Sequence, residues 1–591
     1  MPKQWRFHIH DRGVVGHLTR RLGCSALVAQ VLAARGVETD EQARRFLSAR
    51  LTDLHDPGLL PGVSAAAERV AAAIQAGRRV TIYGDYDVDG VTATSILYNC
   101  VKLAGGTVDY YIPSRLEEGY GLNLEAIHKL HEEDPQRLVV TVDCGICSIE
   151  EAAQARELGL ELIITDHHTF TDQLPNAAAL VHPRLPGGSY PFPDLCGAGV
   201  AFKLAWGICQ QLGDGKKASP QMRDFLVSAV GLAAIGTVAD VVPLVDENRI
   251  LVHNGLASLA SRAPLGLRTL MKIASVDSRG TLASEDIGFS LAPRLNAAGR
   301  LGQARLAVEL LTTGDAVRAQ QLAEYVDQLN KNRQTVERRM LKQAKELVSE
   351  HGWDEQPALV LAHPEWHPGV IGIVAGRVAE HFERPAVMIA LDEAAGCGQG
   401  SGRTFAGYDL YSALAACESH LERFGGHRAA AGLRISQTEI EAFRDQFAAF
   451  VGGTHTLEPA DTEIGVDAEV SIADLTLPAV KELEKLGPYG CENARPVFAT
   501  SSVSLAGTPQ TMGEGDRHLS LRIKQGRETL RAVAFGRGEW AEEIAQVSGP
   551  ISICYKANIN RYRGRESVEL HLIDWQTDDA MVRRSGPSSG V

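Results

Sequence analysis

Val80-Thr81-Ile82-Tyr83-Gly84-Asp85-Tyr86-Asp87-Val88-Asp89-Gly90 decides how this chain is read. An apolar strand runs straight into three carboxylates within five positions, and a helical segment follows from Val91 to Leu103, stopping at Gly105-Gly106. The same rhythm continues outward. Strands are predicted at Thr107 to Ile112, Leu138 to Val142 and Leu162 to Thr165, separated by helices around Leu124 to His131 and Ile149 to Leu158. Strands and helices alternating at this length imply an α/β fold, a mostly parallel sheet covered on both faces, with ligands binding beyond the carboxyl ends of its strands.

Acids gathered at one sheet edge repel one another, and bound cations remove that repulsion. A calcium loop fits Asp85, Asp87, Asp89 and Gly90 but requires a glutamate at its twelfth position, where this chain has Ile96. Taken alone, the cluster differs little from a solvated acidic turn. It gains weight because the next strands end alike, in Asp143 and in Asp166-His167-His168, and because Asp240 closes an apolar helix. Adjacent histidines at a strand end, beside acids from neighbouring strands, read as ligands, whereas the isolated His128 and His182 read as structural. Mixed carboxylate and imidazole ligation suits Mn2+ or Mg2+ rather than a structural zinc, which would recruit thiols. A bridging carboxylate could hold two such ions about 3.5–4 Å apart, activating water and stabilising a leaving oxygen, which is the chemistry of phosphoester hydrolysis.

The 591 residues exceed what one hydrophobic core organises, so three or four domains are expected. A formal charge of −14 gives no general attraction to nucleic acid, so phosphate contacts must come from local basic residues and bound cations. Ten scattered cysteines fit a reducing compartment, and the CxxC at Cys144 and Cys147 lacks the second pair that zinc would need. The start, Met1 to Arg6, has no signal-peptide core, and Asp240 and Pro243 interrupt the apolar stretch Phe225 to Val245. A cytoplasmic protein without a membrane span is expected.

Asp315 to His351 contains neither glycine nor proline and carries Leu322, Val326, Leu329, Val336, Met340, Ala344 and Leu347 at helical spacing. That predicts one helix of roughly 55 Å, long enough to connect two bodies. A second α/β unit follows, with strands at Ala358 to Ala362 and Ala386 to Leu391 and helices around Val370 to His381 and Leu410 to Arg423. Beyond about Pro459, short alternating runs such as His518 to Ile523 and Val568 to Leu572 predict a small β-barrel.

Asp85-Tyr86-Asp87-Val88-Asp89-Gly90, Thr141-Val142-Asp143-Cys144-Gly145, Thr165-Asp166-His167-His168 and the run from Gly236 to Leu244 together resemble the DHH phosphoesterases. The likeness extends through Arg115 to Gly121, Leu195 to Val200, Pro293 to Gly302 and Gly425 to Gly432, in order along nearly the whole chain. It implies a parallel-sheet DHH catalytic domain at 71–310 and a long connecting helix at 311–352. A DHH-associated α/β domain at 353–455 and a C-terminal OB-fold barrel at 456–578 would follow, with a helical segment at 1–70 before them and a tail at 579–591 after them.

The resemblance also implies roles. Asp89, Asp143, His167 and Asp240 would hold one metal, Asp143 would bridge to a second held partly by Asp87, and Asp85 would take part. Tyr83 stands where some relatives have a histidine, which implies a weaker second site. His168, Arg115, Arg300, Ser401, Arg403 and His427 would meet the substrate, Arg115 at a terminal phosphate. By local sequence alone, either Arg115 or Arg300 could be a surface ion-pair partner and Gly425-Gly426 a helix stop. Arg561, Tyr562, Arg563 and Arg565 are candidate strand contacts on the barrel, unless they form a charged hairpin turn.

The activity implied is 5′-to-3′ exonucleolysis of single-stranded DNA to 5′-mononucleotides in DNA repair and recombination, the strand threading a cleft too narrow for duplex. A monomer is expected, with a single-strand-binding protein and a helicase as partners. Two rivals stand beside this reading. A DHH phosphodiesterase of short oligonucleotides or cyclic dinucleotides would not need the long helix and the barrel. A non-catalytic nucleic-acid-binding member would not need Asp87, Asp89, Asp143, Asp240 and both histidines.

Overall fold

In the computed structural model, β1 (Val80–Gly84) lies between β2 (Val108–Tyr111) and β3 (Leu138–Val142), and the sheet continues through β4 (Glu161–Thr165) to β5 (Ala179–Val181). All neighbours are parallel. The structure describes residues 3–114, 118–119, 121–214, 217–276, 281–454, 463–562 and 564–577. Val80, Ile82, Leu138 and Val140 face one apolar cluster, while Tyr83, Val139, Leu162 and Ile164 face another, so both faces are covered. The strand order 2-1-3-4-5 reverses between β1 and β3, and the crevice outside the carboxyl ends of those two strands is the ligand position of such sheets.

Three helices packed together cover the first face: α1 (Val88–Leu103), α2 (Gly197–Gln211) and α3 (Pro220–Ala239). By length and composition α3 could cross a membrane, but half of it is buried inside this domain and its C-cap is Asp240. Beyond it, α4 (Ala292–Arg300) leads toward α5 (Ala316–His351), the long helix expected from the sequence. Leu322, Ala323, Val326 and Leu329 of α5 belong to the core of the metal-side domain, and Met340, Ala344 and Val348 to that of the second α/β domain. One unbroken helix therefore serves both cores.

The second domain has a mixed sheet in the order β9 (Leu421–Gly426), β10 (Ala430–Ser436), β8 (Cys397–Arg403), β7 (Ala386–Asp392), β6 (Leu359–His363), with α6 (Ile371–Phe382) against it. The helix predicted from Leu410 to Arg423 ends at Ala416, and Leu421 onward is strand. Gly425-Gly426 is thus the end of an edge strand, not a helix stop. Strand β8 escaped prediction because Gly398, Gly400 and Gly402 give no β signal. They are glycine because a Cβ would meet Ile389, Leu433 and Leu410 at 2.5, 2.6 and 2.8 Å.

Residues 3–49 and 463–577 form a separate unit. Its five-stranded barrel runs β11 (Phe498–Leu505), β14 (Ile551–Tyr562), β15 (Arg565–Thr577), β13 (Glu528–Ala534), β12 (His518–Gln525), and closes by pairing of Ser504 with Lys524 and Leu505 with Ile523. That is the OB topology. The segment expected at 1–70 divides: Leu18, Val28 and Leu32 share the barrel's core, whereas the helix Val63–Gln75 packs in the metal-side domain. Arg563 and the 579–591 tail lie outside the described residues.

Candidate metal centre

Asp85 follows strand β1 directly, and Asp87 caps α1 by accepting the Gly90 N–H at 3.1 Å. Asp89, in the first turn of α1, points the other way and accepts the Gly197 and Ala198 N–H groups at 2.6 and 2.8 Å. Those donors are the positive end of α2, which suits a buried carboxylate. Asp143 follows β3 in the left-handed region, φ +62. His167 and His168 follow β4, and Asp240 ends α3.

These side chains converge as three groups linked through Asp143 and His167. Ligand atoms of Asp85, Asp87 and Asp143 lie within 4.8 Å of one another, as do those of Asp89, His167 and Asp240; Asp143 also groups with His167 and His168. His167 Nε2 is the telling atom. It is buried and makes no hydrogen bond, while oxygens of Asp143, Asp240 and Asp89 stand 3.1, 3.6 and 3.8 Å away. Burial lowers the His167 pKa to about 4, so its ring is neutral and its lone pair available. A neutral imidazole facing carboxylates is the donor set of a divalent cation, and these residues fit one.

Electrostatics agree. Burial, and then the neighbouring acids, push the Asp143 carboxyl well above its usual range; burial, Asp89 and Asp87 raise Asp240 to about 8. Burial also raises Asp89, His167 opposing. His168 is different. Burial works against its charge, but the hydrogen bond and charge of Asp166, 2.7 Å from Nδ1, raise it to about 9. Asp166 is itself kept near 2 against burial by His168 and by backbone N–H groups including that of Ile146.

Close approach explains the glycines of the surrounding motifs. A Cβ on Gly197 would lie 2.6 Å from Asp143, on Gly236 2.4 Å from Asp89 Oδ1, and on Gly299 2.1 Å from the Tyr86 carbonyl oxygen. Asn296 Oδ1 accepts the Val88 N–H at 3.1 Å, so α4 braces the acidic turn. Asp166 and Asn296 were not singled out from the sequence, although both lie inside quoted motifs. His182, read as structural, supports the site from behind through a 2.9 Å contact of Nε2 with the His168 carbonyl. Tyr83 is no ligand: its hydroxyl donates to the Gly121 carbonyl at 3.0 Å and its ring stacks on Tyr111. Cys144 is buried, and the exposed Cys147 contacts the Thr169 carbonyl.

The other candidate residues meet at the start of α6. Arg300 donates to the Gly369 carbonyl at 3.3 Å, and a Cβ on Gly372 would lie 2.9 Å from Ser401 Oγ and 3.0 Å from Arg403. Arg403 donates to Ser401 Oγ at 3.1 Å. No acid sits in the first turn of α6 and Val370 at its N-cap offers no side-chain acceptor, while the Ile371 and Ile373 N–H groups donate to the His367 and Val370 carbonyls. His427 stands exposed at the β9–β10 turn, and no described contact links it to α6 or to the acids. Arg115 lies outside the described residues. A cleft of about 1160 Å³ between the two domains is lined by Tyr86, Glu118, Trp366, Gln399, Arg423 and Phe424. On the barrel, Arg561 is held by Glu566 and Glu484, which is the charged-hairpin alternative, while Tyr562 is exposed.

Three family descriptions match: the DHH family, N-terminal domain, over residues 79–232; the DHHA1 domain over 355–453; and the RecJ OB domain over 466–574. The single-stranded-DNA-specific exonuclease RecJ of Bacillus subtilis (strain 168) is 38% identical over 587 residues, 98% of this chain and 72% of that protein. The crystal structure of RecJ in complex with Mn2+ from Thermus thermophilus superposes with a TM-score of 0.81 at 32% identity, covering 97% of this chain and 79% of that one. The Mg2+ complex from the same source gives 0.74 at 30% identity, over 97% and 78%.

Proposed function

This chain belongs to the RecJ family of DHH phosphoesterases, divalent-metal exonucleases of single-stranded DNA, and from that premise we infer that it holds two ions and shortens strands from the 5′ end, releasing 5′-mononucleotides. The observation that carries the reading is His167 Nε2, buried without a hydrogen bond among three carboxylates at the β1/β3 crevice. Asp89, His167 and Asp240 would hold one ion and Asp85 and Asp87 the other, with Asp143, which groups with Asp85 and Asp87 and also lies 3.1 Å from His167 Nε2, between them. Bound Mn2+ or Mg2+ supplies Lewis-acid stabilisation of phosphate oxygens and a more acidic water.

The rest is the work of this chain's own groups. His168, held cationic by Asp166, is suited to a non-bridging phosphate oxygen. Arg300, Ser401 and Arg403 at the start of α6 form a pocket suited to a terminal phosphate, which is what supports the 5′ direction. Tyr86 borders both the acidic turn and the interdomain cleft, so a strand lying in that cleft reaches the ligands directly. The setting of this activity would be DNA repair and recombination in the cytoplasm, by a monomer working beside a single-strand-binding protein and a helicase.

The decisive experiment is a Mn2+-dependent time course on single-stranded DNA labelled at either end, with duplex DNA and RNA as competitors. Early release of mononucleotides from the 5′ label is expected, with duplex left intact. Release from the 3′ label first, or hydrolysis confined to a dinucleotide, would sink the reading.

A further inference from the structure

Phe289 and Val241 are large apolar side chains left in water, 82% and 67% exposed. Each sits in an unusual backbone state. Phe289 is displayed by a π-helical turn, Ile287–Leu291, that leads directly into α4, and such turns concentrate at functional sites. Val241, next to Asp240, has φ +61, a left-handed conformation that β-branched residues rarely adopt. Neither distortion buries the side chain it presents.

Val241 directly follows Asp240, and the π-turn that displays Phe289 packs on the helix ending there. A Cβ on Gly288 would lie 3.7 Å from Val238 Cγ1, so the π-turn touches the last turn of α3, which ends at Asp240. Along α4, Phe289, Pro293, Asn296 and Arg300 recur at helical spacing and are exposed or half-buried, while Leu291, Ala292, Leu295 and Ala297 are buried. That open face begins at Phe289, passes Asn296 against the acidic turn and ends at Arg300 beside α6. If the 5′ phosphate sits at Arg300, the other end of the face lies under the strand beyond the cleaved bond.

We propose that Phe289 is a stacking lip for a nucleobase on the 3′ side of the scissile phosphate. The assignment rests on the 5′-exonuclease reading above. A flat apolar ring in water matches the π-face that every base offers, and it would grip the strand without reading sequence. The lip would hold the strand through a contact that needs no basic side chain.

The test is single-turnover cleavage by the full chain with Mn2+, on 5′-phosphorylated single strands in which one abasic nucleotide is walked inward from the 5′ end. In the unmodified protein, kcat/KM for the first cleavage is expected to fall about tenfold at one or two positions 3′ of the scissile bond, the size of one base–aromatic stack. Phe289→Ala should lose about as much on the intact strand, mainly through KM, and become indifferent to the abasic nucleotide at those positions. Phe289→Trp should restore both the rate and the sensitivity. An abasic profile in the unmodified protein identical to that of Phe289→Ala, with 5′ release intact, overturns this inference alone. Release from the 3′ end overturns the parent reading and this one together.

Discussion

Asp143 concentrates the problem that the site poses at the scale of a residue. It groups with Asp85 and Asp87 and also with His167 and His168, is buried in a left-handed conformation under Gly197, and is surrounded by four other carboxylates. Removing it takes away the group common to both ion positions but leaves the cleft and the α6 pocket untouched. Asp143→Ala is therefore expected to lower turnover more than about a thousandfold while single-strand affinity, followed by fluorescence anisotropy, changes little. Full activity would refute the ligand assignment. The crowding also has a thermodynamic sign. Asp89, Asp143 and Asp240 have raised pKa values, so the folded metal-free chain binds more protons than the unfolded chain between about pH 4, where aspartate ordinarily titrates, and the value of about 8 reached by Asp240. Stability contributed below that window is lost as pH rises through it. Bound Mn2+ takes over the role of those protons. The melting temperature of chelated protein should fall on going from mildly acid to mildly alkaline buffer, and the increment from Mn2+ should be larger on the alkaline side; an increment independent of pH would contradict this account.

At the scale of the element, α5 holds the two domains of the larger unit in register, and its middle is polar where its ends are apolar. Asp327 meets Arg294 of α4 at 2.8 Å, and Glu337 joins Arg333 on its own helix to Arg377 of α6 at 2.6 Å. Arg333 and Glu337 are buried, and breaking such a pair leaves an uncompensated charge. Glu337→Ala should cost about 3 kcal/mol in denaturant unfolding. It should also raise KM more than it lowers kcat, because α6 would lose its polar tie to α5, keeping only the apolar one, while the acids lie in the other domain. Helix α5 was legible to within a residue at each end because nothing in it breaks the 3.6-residue period. Strands β1, β3 and β4 were equally legible, being apolar on both faces. Strand β8 was not, because the glycines that let Ile389, Leu433 and Leu410 approach carry no strand signal. Within the site, acids at strand ends announced themselves. Asp166 and Asn296 did not, since a hydrogen-bond acceptor is recognised only once its donors at Ile146 and Val88 are in place.

At the scale of the whole molecule, the two units solve different problems. In the smaller one, the beginning and end of the described chain build one body: Trp5–Phe7 pairs with Ile464–Val466, and Trp5 Nε1 donates to Asp574 at 2.8 Å. No local pattern could foretell a pairing so remote in sequence. Many of that unit's basic side chains are already matched by acids, Arg531 by Glu569, Lys481 by Glu566 and Arg561 by Glu484 and Glu566. In the larger unit, the cations that the proposed function assigns to the substrate among the described residues are few: Arg300, Arg403 and His168, together with the proposed ions. With a net charge of −14, single-strand binding should therefore depend only moderately on salt. At about −0.7 per phosphate neutralised, three to five contacts predict a slope of log K against log salt of about −2 to −4. Arg403→Ala should flatten that slope by about 0.7 and weaken binding to all sequences alike. A slope steeper than about −6 would mean that the strand follows an extended basic track, and stacking at Phe289 would then be superfluous to its grip.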